Sequence, residues 1–168
     1  MKQKSFEILA KNLEEMTKQY RSLLACVRNE KYLLIQSDVT KLNESNVLKE
    51  EILSNIKNLE AQRIIYAGEL AQSVGIDPHE PRLLDIAKTI GGVEGVKLRT
   101  IHSSLDLLTK QLIEINKDNA IYAESALSIV NSAMDNIKES LMGQKTYQKK
   151  GSYQQGFDKS GHLVSKEA

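Results

Sequence analysis

An apolar stripe with heptad spacing runs along the first part of the chain. Its members are separated by three and four residues in alternation, with one polar member, and they are Phe6, Leu9, Leu13, Met16, Tyr20, Leu23, Val27, Glu30 and Leu34. This spacing predicts a single long helix over residues 5–36. Such a helix spans roughly 45–50 Å at the helical rise. A helix of that length in a chain of 168 residues predicts an elongated bundle or hairpin.

A second long helix is predicted after a very short connection. Ser37 and Asp38 are both good N-cap residues. From there, apolar residues recur near helical spacing as far as Val74, although polar residues dilute the stripe. Because a connection of a few residues cannot return the chain to the other end of a long helix, the two helices should lie antiparallel.

Glycine and proline residues interrupt the helical pattern in the middle of the chain. Gly75 is suited to a helix C-terminus, and the two prolines, Pro78 and Pro81, follow it. Residues 82–90 then predict a short helix of about two turns. Three glycines occur in residues 91–95, and this clustering predicts a flexible joint that ends the short helix.

The last predicted helix is the longest. Its seam again alternates steps of three and four as far as Ala133 and continues on the same face in steps of four; it comprises Leu98, Ile101, Leu105, Leu108, Leu112, Ile115, Asn119, Tyr122, Ala126, Ile129, Ala133, Ile137 and Leu141. Asn119 occupies a seam position where a buried polar group commonly fixes helix register. Gly143 is the predicted end of this helix. The predicted fold is therefore all-α: an elongated antiparallel bundle of three long helices and one short helix, over residues 1–143.

Residues 144–168 differ in composition from the preceding helices. They contain three glycines, several serines and glutamines, and five lysines against two acidic residues. No helical or strand periodicity is visible. We therefore expect a flexible, basic C-terminal tail with isolated aromatic residues, separate from the helical domain.

Composition and charge exclude several classes of protein. A net charge of +1 is too balanced for a nucleic-acid binder that works by bulk electrostatics. No run of about 18 apolar residues is present, so no membrane span is expected. The N-terminus lacks a secretory signal, which makes the cytoplasm the default compartment. The single cysteine, Cys26, cannot form an internal disulfide.

Reactive groups are sparse, and no enzyme activity, cofactor or metal is predicted. The three histidines, His79, His102 and His162, do not occur in the spacings that zinc or di-iron sites use. Cys26 lies in the middle of a predicted helix, without the helix N-terminus or paired histidine that a catalytic cysteine uses. No phosphate-binding or dinucleotide-binding glycine motif occurs. What remains is a surface for a partner, since long amphipathic helices offer grooves to other helices.

Several short motifs follow one another in a distinctive order. They are Tyr20-Arg21-Ser22-Leu23-Leu24 with Glu30-Lys31, Asp38-Val39-Thr40-Lys41-Leu42, Leu48-Lys49-Glu50-Glu51-Ile52, Leu59-Glu60-Ala61-Gln62-Arg63, the asparagines 116 and 119, Ala126-Leu127, and Thr146-Tyr147-Gln148-Lys149-Lys150-Gly151 with the terminal Glu167-Ala168. In their order and spacing they resemble the FlgN-type flagellar export chaperones over nearly the whole chain. The lysines before Gly151 depart from that family's tail.

The resemblance implies a cytoplasmic, non-enzymatic chaperone of the hook-filament junction proteins. Such a chaperone holds the C-terminal helical segments of its clients, prevents their premature assembly and presents them to the flagellar export gate. By this analogy the partner-binding residues are Ile129, Met134, Ile137, Leu141, Met142, Tyr147, Gly151 and Tyr153. Tyr147 matches the tail tyrosine associated with docking at the gate.

Three other interpretations remain open from the sequence. A chaperone for a different type III secretion substrate would share the helices and differ only in its partner. A self-associating coiled-coil scaffold would form oligomers, and a homodimer is compatible with either class. A helical-bundle enzyme would require a metal or cofactor.

Overall fold

The computed structural model describes residues 2–142, with side chains described up to residue 138. It contains four helices: α1 (Lys2–Gln36), α2 (Val39–Ser73), α3 (Leu83–Ile90) and α4 (Gly92–Met142). Three are long and one is short, as the sequence predicted, and the all-α antiparallel bundle is confirmed. The tail predicted over residues 144–168 lies outside the described residues.

α1 and α2 form an antiparallel hairpin with a two-residue connection. Ser37 turns the chain with a positive φ of 56°, and Asp38 caps α2 by accepting a hydrogen bond from the Lys41 amide at 3.1 Å. Cross-helix contacts confirm the direction. Asn12 donates to the Leu59 carbonyl at 3.2 Å, and Cys26 donates to the Ser45 carbonyl at 3.4 Å, so rising numbers in α1 meet falling numbers in α2.

Two apolar clusters hold the helices together. The larger joins the first half of α1, the last turns of α2, α3 and the start of α4, and its buried members are Phe6, Leu9, Ala10, Leu13, Met16, Ala67, Leu70, Ala71, Leu83, Ile86, Ala87 and Leu98. The smaller lies farther along the hairpin and comprises Leu23, Cys26, Val27, Ile52 and Ile56, against which Leu112 and Ile115 of α4 pack. The heptad stripe of α1 therefore supplies both clusters, as its spacing predicted.

The connection between α3 and α4 is shorter than the five-residue joint expected from the glycines. α4 begins at Gly92, so Gly91 alone separates it from α3. Gly91 and Gly92 have positive φ values of 64° and 55°, which glycine adopts without strain. Gly95 lies inside the first turn of α4, where a side chain would collide with the Ala87 carbonyl of α3. The glycines thus permit a tight corner between two packed helices.

α4 runs in the same direction as α1 and opposite to α2. Lys97 pairs with Glu14 at 2.7 Å, and Asp118 pairs with Lys31 at 3.0 Å, so residue numbers rise together in α1 and α4. The chain divides into two units at Glu124 and Ser125, within α4. The first unit contains the hairpin, α3 and the packed part of α4, and the described part of the second is the rest of α4.

Candidate functional site

Side-chain burial along α4 changes at Asn119. Leu98 is fully buried, and the seam residues that follow it are half-buried as far as Ile115. Asn119 is buried, and every side chain from Ala120 to Lys138 is exposed. The seam that the sequence extended through Ile137 is therefore packed only in its first part, and the described side chains beyond Asn119 are exposed.

Four large apolar side chains form a stripe on the exposed part of α4. They are separated by three, four and three residues, which places them on one face of the helix, and they are Leu127, Val130, Met134 and Ile137. Each is more than half exposed. We call these four residues the α4 stripe. A helix face of this kind is normally buried against another element, so the exposed α4 stripe is the candidate surface for a partner.

The surroundings of the α4 stripe are small and nearly uncharged. Alanines 123, 126 and 133 lie beside it, and residues 125–138 contain only two charged side chains, Asp135 and Lys138. On the polar face, the Ser132 hydroxyl donates to the Ser128 carbonyl at 2.9 Å and so is satisfied within the helix. Small neighbours allow another helix to approach closely, and the absence of nearby charge lowers the desolvation cost of covering this face.

The residues predicted from the sequence fall in three places. Met134 and Ile137 belong to the α4 stripe. Ile129 is 71 % exposed but precedes Val130 by one residue, so it lies about 100° away around the helix. Leu141 and Met142 are in the last turn of α4, beyond the described side chains, and the tail residues Tyr147, Gly151 and Tyr153 lie outside the described residues.

Leu127 and Val130 were not among the predicted site residues. The seam predicted from the sequence runs through Ala126 and Ile129, in line with the packed residues of α4. Leu127 and Val130 belong to a neighbouring line of apolar residues that continues to Met134 and Ile137. The spacing of three, four and three that joins these four residues is present in the sequence. It indicates an exposed surface only once the packing of α4 is known to stop at Asn119.

No catalytic arrangement occurs among the described residues. No group of three or more His, Cys, Asp or Glu side chains in this part of the chain is placed to hold a metal ion. Cys26 is buried, and its thiol donates a hydrogen bond to the Ser45 carbonyl. An open groove of about 800 Å³ lies beside it between α1 and α2; serine, amide and aliphatic side chains line it together with Lys41, Glu44 and Glu51, and no histidine does.

The described helices also have no membrane-spanning character. None of them combines the length and the sustained apolar composition needed to cross a bilayer. The apolar residues of each helix are instead divided by polar ones at helical spacing.

The fold and the exposed α4 stripe are those of an all-helical protein with an apolar surface open to a partner. The family model described as FlgN protein matches residues 1–155, which is nearly the whole chain. The chain therefore belongs to the FlgN family, the non-enzymatic flagellar export chaperones that serve the hook-filament junction proteins. No curated protein matches the chain, and no solved structure matches it.

Proposed function

We propose that the α4 stripe is the surface on which this chaperone holds the C-terminal helical segments of its junction-protein clients. The observation that carries the proposal is the set of four large apolar side chains on one face of α4, each more than half exposed. Client segments of this type are amphipathic helices, and such helices bind apolar faces with anchors at similar spacing.

The proposal extends to neighbouring residues. Leu141 and Met142 continue α4 beyond the described side chains, and Tyr147, Gly151 and Tyr153 follow in the tail. We place these residues, together with Ile129, in the partner-binding region on the strength of the family resemblance. Methionines are adaptable contact residues, which suits a chaperone that accepts more than one client.

Covering the client segment also explains how assembly is prevented. The same apolar face that would drive polymerisation is buried against the α4 stripe, so it is withheld until release. Ordering the client helix costs several kcal/mol of the gross interaction energy, which keeps affinity moderate and release feasible. We place this complex in the cytoplasm, where FlgN chaperones act, and propose that the basic tail presents it to the export gate.

Calorimetric titration tests the binding surface. The chain is titrated with the C-terminal ~50 residues of a junction protein, and saturable binding with a negative heat-capacity change is expected because apolar surface is buried. Val130→Asp should weaken binding by about tenfold or more, since a carboxylate would be desolvated in the interface.

The matched control is Asn136→Asp. It adds the same charge to an exposed residue of α4 that lies outside the α4 stripe. We expect its affinity for the client to remain within about twofold of the native value, because a charge in water costs little. Equal weakening by both substitutions would contradict the assignment of the stripe.

Removing residues 144–168 tests the proposed division into a helical domain and a tail. The truncated chain should keep its helical circular dichroism, because both apolar clusters lie in α1 to α4. Its binding to the client or to the export gate should weaken. A truncated chain that unfolds would refute the division at Gly143.

Oligomeric state distinguishes the chaperone from a scaffold. Sedimentation of the free chain and of the complex shows whether the α4 stripe pairs with a second copy before the client arrives. A homodimer that dissociates when the client binds fits the proposal. A stable oligomer that binds no client would favour the coiled-coil scaffold, and binding of a different secretion substrate would identify another cargo.

A further inference from the structure

The contacts of α1 with α4 end in a small cluster of polar interactions. Asn119 donates through Nδ2 to the Val27 carbonyl at 2.9 Å. Lys31, one turn later in α1, donates to the Asp118 carboxylate at 3.0 Å, and its Nζ lies 5.5 Å from the centre of the Tyr122 ring. We call these five residues the α1–α4 clasp.

Lys31 is shared between two residues of α4 that lie one turn apart. Lysine is charged at neutral pH, and the hydrogen bond with Asp118 raises the pKa of Lys31 further. The charge attracts the carboxylate of Asp118 and the face of the Tyr122 ring at the same time. One side chain of α1 therefore ties residues 118 and 122 of α4 to the same point, which requires the turn between them to be helical.

The part of α4 that follows the clasp has little helical stability of its own. No described side chain from Ala123 to Lys138 is buried, so burial in a core does not hold this part in a helix. Residues 125–132 include three serines, one asparagine, Ile129 and Val130, all of which are weaker helix formers than alanine or leucine. Because starting a helix is far less favourable than extending one, helical order in this part has to propagate from the last fixed turn.

We propose that Lys31 is a positioning residue for client binding: by fixing Asp118 and Tyr122, it provides the last fixed turn from which the client-binding part of α4 extends as a helix. The inference rests on the proposed function of the α4 stripe. A preformed stripe lowers the ordering cost of the complex, and any loss of its helical population lowers the apparent affinity in proportion. Lys31 itself need not touch the client.

Hydrogen exchange of the full chain, resolved by peptide, provides the primary test. In Lys31→Ala, amides of residues 120–138 should exchange about three- to tenfold faster, since their helix loses its fixed end. Lys31→Met retains the aliphatic part of the side chain and removes the charge, and it should show the same change. Unchanged exchange in both variants would overturn the inference without reference to any client.

Glu14→Ala is the matched control. It breaks the other ion pair between α1 and α4, the 2.7 Å contact with Lys97, near the start of α4. Because α4 remains anchored there by Gly95 and the buried Leu98, exchange in residues 120–138 should stay at the native rate. Faster exchange in this variant as well would mean that any α1–α4 contact has the effect, and Lys31 would lose its particular role.

Client titration separates this inference from the proposed function. Lys31→Ala should weaken client binding by about three- to tenfold, in parallel with its loss of helical order. If Val130→Asp abolishes binding while Lys31→Ala leaves it intact, the stripe stands and the inference fails. If neither substitution affects binding, the client lies elsewhere, and the role assigned to Lys31 in client binding is refuted with it.

Discussion

Glu30 of α1 and Lys49 of α2 form an ion pair at 2.8 Å across the hairpin, and both side chains are largely shielded from water. Glu30 is the one polar residue of the heptad stripe, and the pair explains how it is accommodated. The Lys49 ammonium pairs with the Glu30 carboxylate next to the smaller apolar cluster. The interruption in the stripe is thus a cross-helix contact.

Glu30→Ala should destabilise the chain by about 1–2 kcal/mol, because it leaves the shielded ammonium of Lys49 without its partner. Urea unfolding at neutral pH measures the change. Asp106→Ala removes a 2.7 Å pair with Lys110 on the exposed face of α4 and serves as control. This control substitution should lower the free energy of unfolding by about 0.5 kcal/mol or less. The double variant Glu30→Leu with Lys49→Met should equal or exceed the native stability, and a large loss there would contradict this account.

Asn119→Asp should be strongly destabilising. The buried Nδ2 donates to the Val27 carbonyl, and a carboxylate oxygen in its place would face that carbonyl with no proton between them. We expect a loss of about 2–4 kcal/mol in the free energy of unfolding at neutral pH.

Asn119→Ala is the comparison for that substitution. It removes the hydrogen bond and also the Oδ1 atom, which is buried without a partner among the described residues. The Val27 carbonyl retains its partner within α1, so the cost should be about 1 kcal/mol or less. Equal losses in the two variants would contradict the specific cost assigned to a carboxylate facing the Val27 carbonyl.

Asp38 should make the stability of the hairpin dependent on pH at acidic values. The hydrogen bond from the Lys41 amide, with the contact to the Lys41 ammonium, lowers the pKa of Asp38. A carboxyl whose pKa is lower in the folded state stabilises it above the unfolded pKa of about 3.9, and this contribution is lost as pH falls through the folded pKa. NMR titration should place the Asp38 pKa below its ordinary value.

Asp38→Asn isolates the charge from the cap. Asparagine caps helices about as well as aspartate, so the hydrogen bond to the Lys41 amide is retained while the titrating group is removed. The unfolding midpoint of this variant should approach that of the native chain near pH 3 and fall below it near pH 7. An identical difference at both values would show that the charge contributes nothing.

Gly95→Ala should destabilise the chain although alanine is the better helix former. The added Cβ would meet the Ala87 carbonyl of α3 at a distance that packed atoms do not tolerate. The expected cost is about 1–3 kcal/mol, opposite in sign to the helix-propensity gain of about 1 kcal/mol. Thermal unfolding decides the sign, and Val96→Ala, at the exposed next residue, should be nearly neutral. A stabilised Gly95→Ala chain would mean that α3 and α4 do not approach closely.

The sequence alone determined the helices and their pairing. Heptad spacing, the Asp38 cap and Gly75 define α1 and α2 because side-chain periodicity and end-capping are local properties of the chain. The two-residue connection then leaves only an antiparallel hairpin. The family was also readable from the sequence, through the order of short motifs in the helices and the tail.

Only the tertiary structure decided where α4 stops being packed. Two neighbouring apolar lines run through residues 122–137, and periodicity alone cannot show that both are exposed, because each of them fits a packed helix. The end of the packing depends on how far α1 and α2 extend beside α4, which is a relation between distant residues such as Val27 and Asn119. The glycines at 91–95 likewise predicted a flexible joint from the sequence. In the structure α3 and α4 pack so closely there that a side chain at Gly95 would meet the Ala87 carbonyl.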